Sequence, residues 1–177
     1  MASVNFKIIK NFFSKEELSI LQPYCYYQLD SDTGYQLDGQ SFSPSWYKDS
    51  LMTSFLDLKL NLMKKETGLE LLPTYAYWRY YIFGATLETH TDRPSCEISI
   101  SACIKKYDDW PFVIENNILE LEEGDGLLYA GCDQKHGRPG TYKGDGMAQV
   151  FFHYVDRNGP YASFAYDKCS KTTGEKE

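Results

Sequence analysis

The chain holds three histidines, His90, His136 and His153, and the first stands two positions from an aspartate in LETHTD. In an extended strand residues i and i+2 project to the same face, so His90 and Asp92 can converge on one point while Thr91 faces away. That spacing suits two ligands of one metal ion. A third ligand has to come from a distant strand, and His136, behind the turn-rich stretch EEGDGLLYAGCDQKHGR, is the natural candidate. Two imidazoles and one carboxylate on one side of an ion leave the opposite positions open, the arrangement expected for non-haem Fe(II) chemistry. H-x-D is also a common tripeptide, and taken alone it more often describes a solvated surface stretch than a metal site. His153, in VFFHYV, alternates with Phe152 and Tyr154 without revealing its face. Three ligands already complete an open site, so it reads as a core or supporting histidine.

The elements that must position these residues differ along the chain. NFFSKEELSILQPYC carries a capping box, Ser14 with Glu17, followed by the apolar edge Leu18 and Leu21, and predicts a helix ending near Pro23. Residues 30–46 are rich in turn formers and read as a long loop or short strands around turns, a length that commonly carries function. Leu51, Phe55, Leu58 and Leu62 recur at helical spacing and predict a second helix over 48–67, ended by Gly68. After Pro73 come eight short strand-like runs: TYAYWRYYIFG, ATLETH, CEISISACI, PFVIE, ILEL, GLLYA, MAQVFFHYV and YASFAYD. Eight such strands fit a jelly roll, so the fold class is mostly β with N-terminal helices, an α+β chain around a cupin-like core. The 177 residues suit one domain: helical support over 1–70, the core over 71–167 and a flexible polar tail over 168–177.

Composition excludes several partners. The net charge is −7 and the basic residues form no stripe, which disfavours nucleic acid. No apolar run reaches the roughly 18 residues needed to cross a bilayer, and the start lacks a secretory signal, so a cytoplasmic protein is expected. Five scattered cysteines without a C-x-x-C pair read as reduced thiols; Cys96 and Cys103, in an alternating apolar run, read as small core residues.

With these elements in place, RYYIFGATLETHTD resembles the R-Y-x-x-G-x-x-L-x-x-H-x-D stretch of 2-oxoglutarate-dependent Fe(II) oxygenases of the prolyl-4-hydroxylase-like group. LEEGDGLLYAGCDQKHGRPG is similar to their P-G-D-x-L-x-Y-x-G-x-x-x-x-H segment, and MAQVFFHYVD to their last core strand. The resemblance implies a double-stranded β-helix core with His90, Asp92 and His136 as catalytic iron ligands. It implies Fe(II), with 2-oxoglutarate and O2 as cosubstrates and ascorbate as an accessory reductant, and a hydroxylase releasing succinate and CO2. Tyr81 matches a tyrosine of the cosubstrate pocket, although packing in an aromatic strand explains it equally well. The family pattern also places a Lys or Arg about ten residues past the distal histidine, where this chain has Gly144 to Met147 and no cation.

An anion taken out of water must still be paired, and a guanidinium suits a carboxylate best. The substitutes, in order, are Arg138, Arg79, Arg93 and Lys143. The substrate is expected to be a peptidyl or free amino acid such as proline, or another small molecule; the oligomeric state is open. Residues 30–46 and KKYDDWPFV are candidate lids, with Trp46 lining the entrance. Two other readings compete: a cupin-like dioxygenase or hydrolase that uses a metal without cosubstrate, and a metal-free β-sandwich that binds a sugar or peptide.

Overall fold

The computed structural model describes residues 4–31 and 35–167. Its elements in chain order are β1 (Lys7–Ile9), α1 (Lys15–Asp30), β2 (Gln36–Leu37), β3 (Pro44–Tyr47), α2 (Ser50–Thr67), β4 (Leu71–Tyr81), β5 (Leu87–His90), β6 (Ile98–Lys106), β7 (Phe112–Ile114), β8 (Asn117–Leu119), β9 (Gly126–Tyr129), β10 (His136–Arg138) and β11 (Met147–Asp156). The strands form two antiparallel sheets, one of seven in the order β1-β9-β6-β11-β4-β3-β2 and one of four in the order β5-β10-β7-β8. This is the expected jelly-roll core.

Period-two alternation divides the larger sheet into two faces. Ile98, Ile100, Ala102 and Ile104 of β6, Ala148, Val150, Phe152 and Tyr154 of β11, and Ala76 and Trp78 of β4 pack in one core with residues of both helices. The opposite face carries Tyr75, Tyr77 and Arg79 of β4 with Phe151 and His153 of β11, and these line a cavity. The helices therefore back the sheet and leave its other side to the site.

The helices begin as their sequences require. Ser14 N–H donates to Glu17 at 2.8 Å while Ser14 Oγ accepts from Glu17 N–H at 3.2 Å. Helix α2 ends on Gly68 at φ 71°, a left-handed conformation that a residue without Cβ adopts without strain.

Several expectations are corrected. Helix α1 does not stop near Pro23 but runs to Asp30. Gln22 reaches the Ile104 carbonyl and Tyr24 reaches Asp49, so tertiary contacts on both sides of the proline offset the hydrogen bond it cannot donate. The buried stripe of α2 is Met52, Phe55, Leu56 and Met63; Leu58 is exposed, because the helix is rotated relative to the stripe read from leucines alone. The run YASFAYD is no strand and holds a single 3-10 turn, Ala162–Phe164. The eighth core strand is instead β10, too short and too polar to show an alternation. Trp46 lines no entrance: it is buried and stacks on Trp78, ring planes 3° apart and centroids 3.8 Å apart. Trp110 is likewise no lid, since its indole N–H donates to the Pro139 carbonyl at 2.9 Å and the ring is buried. The polar tail lies outside the described residues.

Candidate metal centre

Strands β5 and β10 are neighbours in the smaller sheet, and their register sets His136 directly opposite His90. Residues so paired hold their Cβ atoms within ~4.5–5.5 Å, and the two imidazole centroids lie 4.5 Å apart. Asp92, just past the end of β5, is fixed by its N–H on the Gly131 carbonyl at 2.8 Å. Its carboxylate then meets both rings: His90 Nε2 stands 3.6 Å from Oδ1, and His136 Nε2 stands 3.6 Å from Oδ2. A side chain at residue 131 would place Cβ 2.6 Å from Asp92 Oδ2, so glycine is what lets the carboxylate sit there.

The far nitrogens fix the tautomers. His90 Nδ1–H donates to the Glu88 carbonyl and His136 Nδ1–H to the Gln134 carbonyl, each at 2.8 Å. A neutral ring that donates from Nδ1 carries its lone pair on Nε2, so two lone pairs face one carboxylate. That is repulsive unless a proton on a ring or a metal ion stands between them, and it is also how metal-ligating imidazoles are oriented. Asp92 Oδ2 is buried with no hydrogen-bond partner, and one donor atom from each of the three residues lies within 4.8 Å of the others. The donor set fits a divalent ion. Burial opposes ionisation of Asp92, but the facing His136 and His90 rings outweigh it and hold its carboxyl well below the usual range. Asp92 in turn raises the pKa of His90.

The triad opens on a cavity of about 350 Å³ whose wall includes Tyr47, Tyr75, Tyr77, Arg79, Arg93 and Phe112. Two of the candidate arginines in that wall already hold a carboxylate. Arg79 Nε donates to Asp38 Oδ2 at 2.9 Å, with Nη2 on Gln40 and Nη1 on the Tyr81 hydroxyl. Arg93 Nη2 donates to Asp167 Oδ2 at 2.9 Å, and the guanidinium lies 4.6 Å from the centre of the Tyr75 ring. Arg138 differs. It is buried among the rings of Tyr81, Trp110 and Phe112, Nη1 donates to the Trp110 carbonyl, and Nε has no partner. Among the described residues no carboxylate pairs with it, and burial lowers its pKa. It stands behind Phe112 rather than in the cavity wall. Tyr81 is fully buried, edge-on to Trp110. Lys143 lies over Phe83, away from these groups.

Sequence reading missed Asp38 and Asp167, whose pairing with arginines distant in the chain leaves no local signal. It also missed how close Cys96 and His153 come to Asp92: one donor atom from each of the three lies within 4.8 Å of the others. Burial pushes the His153 pKa down to about 4. The signal was the alternation of β11, which needs the neighbouring strands' register before it says which residues face inward.

No family model and no curated protein matches the chain. Solved structures do. A prolyl-4-hydroxylase of Pseudomonas putida superposes with a TM-score of 0.67 over 86% of this chain and 92% of that one, at 13% identity. The fold is that of the 2-oxoglutarate/Fe(II) oxygenases. An oxidoreductase of the 2OG-Fe(II) oxygenase family from Burkholderia pseudomallei gives 0.66 over 93% and 88%, at 13% identity. The α-ketoglutarate-dependent epimerase SnoN of nogalamycin biosynthesis gives 0.70 over 85% and 76%, at 8% identity. Because solved proteins of this fold include both a hydroxylase and an epimerase, the fold alone does not fix the chemistry, which rests on the residues of the site.

Proposed function

We propose that the chain is an Fe(II)- and 2-oxoglutarate-dependent dioxygenase that hydroxylates a C–H bond of a peptidyl or free amino acid such as proline, releasing succinate and CO2. The observation that carries this reading is the pair of imidazoles held through Nδ1, with both Nε2 lone pairs aimed at the Asp92 carboxylate. When bound, the ion and 2-oxoglutarate supply the oxidising power. The chain supplies position and exclusion. His90, Asp92 and His136 would hold the ion, and all three line the cavity.

Arg138 takes the remote carboxylate of 2-oxoglutarate, with Tyr81 beside it, in preference to Arg79 and Arg93. The reason is charge balance: Arg79 and Arg93 are neutralised by Asp38 and Asp167, whereas Arg138 is a buried cation with an unsatisfied donor. Phe112 lines the cavity and packs against the Arg138 guanidinium, so the carboxylate would reach Arg138 past that ring. The aromatic wall of Tyr47, Tyr75, Tyr77 and Phe151 limits water around the reacting carbon.

Purified protein supplied with Fe(II), O2 and 2-oxoglutarate, with free proline and prolyl peptides as substrates, is expected to form succinate. Omission of Fe(II), His90→Ala or Asp92→Ala is expected to reduce the signal to background. Metal-dependent turnover that persists in both variants, or that proceeds without 2-oxoglutarate, contradicts the proposal.

A further inference from the structure

We infer that the cavity holds a second metal position, made by Asp92, Cys96 and His153, that selects a soft or borderline ion such as Zn(II). The three residues offer one sulfur, one nitrogen and one oxygen within 4.8 Å of one another, and all three line the cavity. Thiolate with imidazole and carboxylate is a zinc-type donor set, unlike the nitrogen and oxygen set of His90, Asp92 and His136.

The groups behind these ligands are arranged as metal ligands require. Ser99 Oγ donates its only hydrogen to the Cys96 carbonyl at 3.1 Å. It therefore accepts from His153 Nδ1 across 2.8 Å, which leaves the His153 Nε2 lone pair free for an ion. The sulfur has a parallel support. Arg93 Nε donates to the Tyr75 hydroxyl oxygen at 3.4 Å, and the Tyr75 hydroxyl stands 3.1 Å from Cys96 Sγ. With its oxygen engaged by Arg93, Tyr75 is free to donate to the sulfur, a hydrogen bond that supports the thiolate once an ion has replaced the proton that burial otherwise retains. Outer hydrogen bonds of this kind orient ligands, and losing one costs about 10- to 100-fold in metal affinity.

Binding exchanges the thiol proton for the ion, the proton leaving through the cavity to solvent. Because Asp92 serves both positions, an ion on Cys96 and His153 draws the carboxylate away from His90 and His136. Zn(II) at this position therefore opposes loading of the oxygenase triad. The inference does not depend on the oxygenase reading, since it rests on the second donor set alone.

Co(II) is the spectroscopic probe, titrated anaerobically into the full-length protein under a phosphine reductant. A thiolate-to-cobalt charge-transfer band in the near ultraviolet is expected. It is lost in Cys96→Ser, weakened about 10-fold or more in apparent affinity in Ser99→Ala, and kept in Cys132→Ala and in the double variant His90→Ala/His136→Ala. That double variant separates the two proposals, because it abolishes the oxygenase triad and spares the thiolate site. Zn(II)-loaded wild type provides a check independent of any variant: zinc-edge X-ray absorption is expected to show a sulfur scatterer at about 2.3 Å. Absence of that scatterer, or a cobalt band that survives Cys96→Ser or disappears with Cys132→Ala, overturns the inference.

Discussion

At the scale of single residues, the site is organised by which charges already have partners. Asp92 faces two imidazoles, and Asp92, His90 and His153 couple to folding in separate pH windows. Burial lowers His153 from 6.5 to about 4, so the unfolded chain takes up that proton first and stability falls as pH drops from about 6.5 to 4. His90 is raised by Asp92; its contribution is complete below its ordinary value of 6.5 and is lost as pH climbs through its folded value. Asp92 is depressed, so its contribution is present above its ordinary value of 3.8 and disappears only below that. Metal-free protein is therefore expected to be most stable near pH 6.5, read as Tm against pH in a chelating buffer. His153→Phe should flatten the limb between 6.5 and 4, and an unchanged limb in that variant contradicts the assignment. That His90 and Asp92 share one face and could serve as paired ligands was legible in the sequence. The pairing of Arg79 with Asp38 and of Arg93 with Asp167 was not, because ion pairs between distant segments follow from the fold and leave no pattern along the chain.

At the scale of elements, the geometry of the triad reduces to the contact between β5 and β10. Gly137 sits between the candidate ligand His136 and the buried Arg138, and a Cβ there would lie 2.9 Å from the carbonyl oxygens of Leu87 and Glu88. Those atoms are β5 backbone, which yields only by moving the strand. Gly137→Ala is expected to push β10 away from β5, costing about 1–3 kcal/mol in stability and lowering Fe(II) affinity more than ten-fold. Calorimetry and metal titration measure the two effects, and unchanged metal affinity in a destabilised variant would show that the strand contact does not set the site. The sequence marked β5 through its alternation and α1 through its capping box. It did not mark β10, a three-residue strand, His136–Arg138, whose identity comes from pairing on both edges. Nor did leucine spacing give the face of α2, because methionines 52 and 63 fill core positions as well as leucine does.

At the scale of the whole molecule, the jelly roll was legible from the count and spacing of short strands, since closing two antiparallel sheets leaves few ways to bury an alternating pattern. The helices cover one face of the larger sheet, and the cavity occupies the other, so stability and chemistry draw on opposite sides of the same strands. Arg138 is where they meet: a cation inside the barrel whose unsatisfied Nε destabilises the empty protein and suits a carboxylate guest. Anaerobic addition of 2-oxoglutarate to the Fe(II)-loaded protein examines the triad and Arg138 together. Wild type is expected to develop a visible metal-to-ligand charge-transfer band. Asp92→Ala should show none, and Arg138→Met should require 2-oxoglutarate raised by a factor equivalent to about 2 kcal/mol or more while melting no earlier than wild type. No band at saturating Fe(II) and 2-oxoglutarate, or the same titration curve in all three proteins, would contradict the assignment of this site.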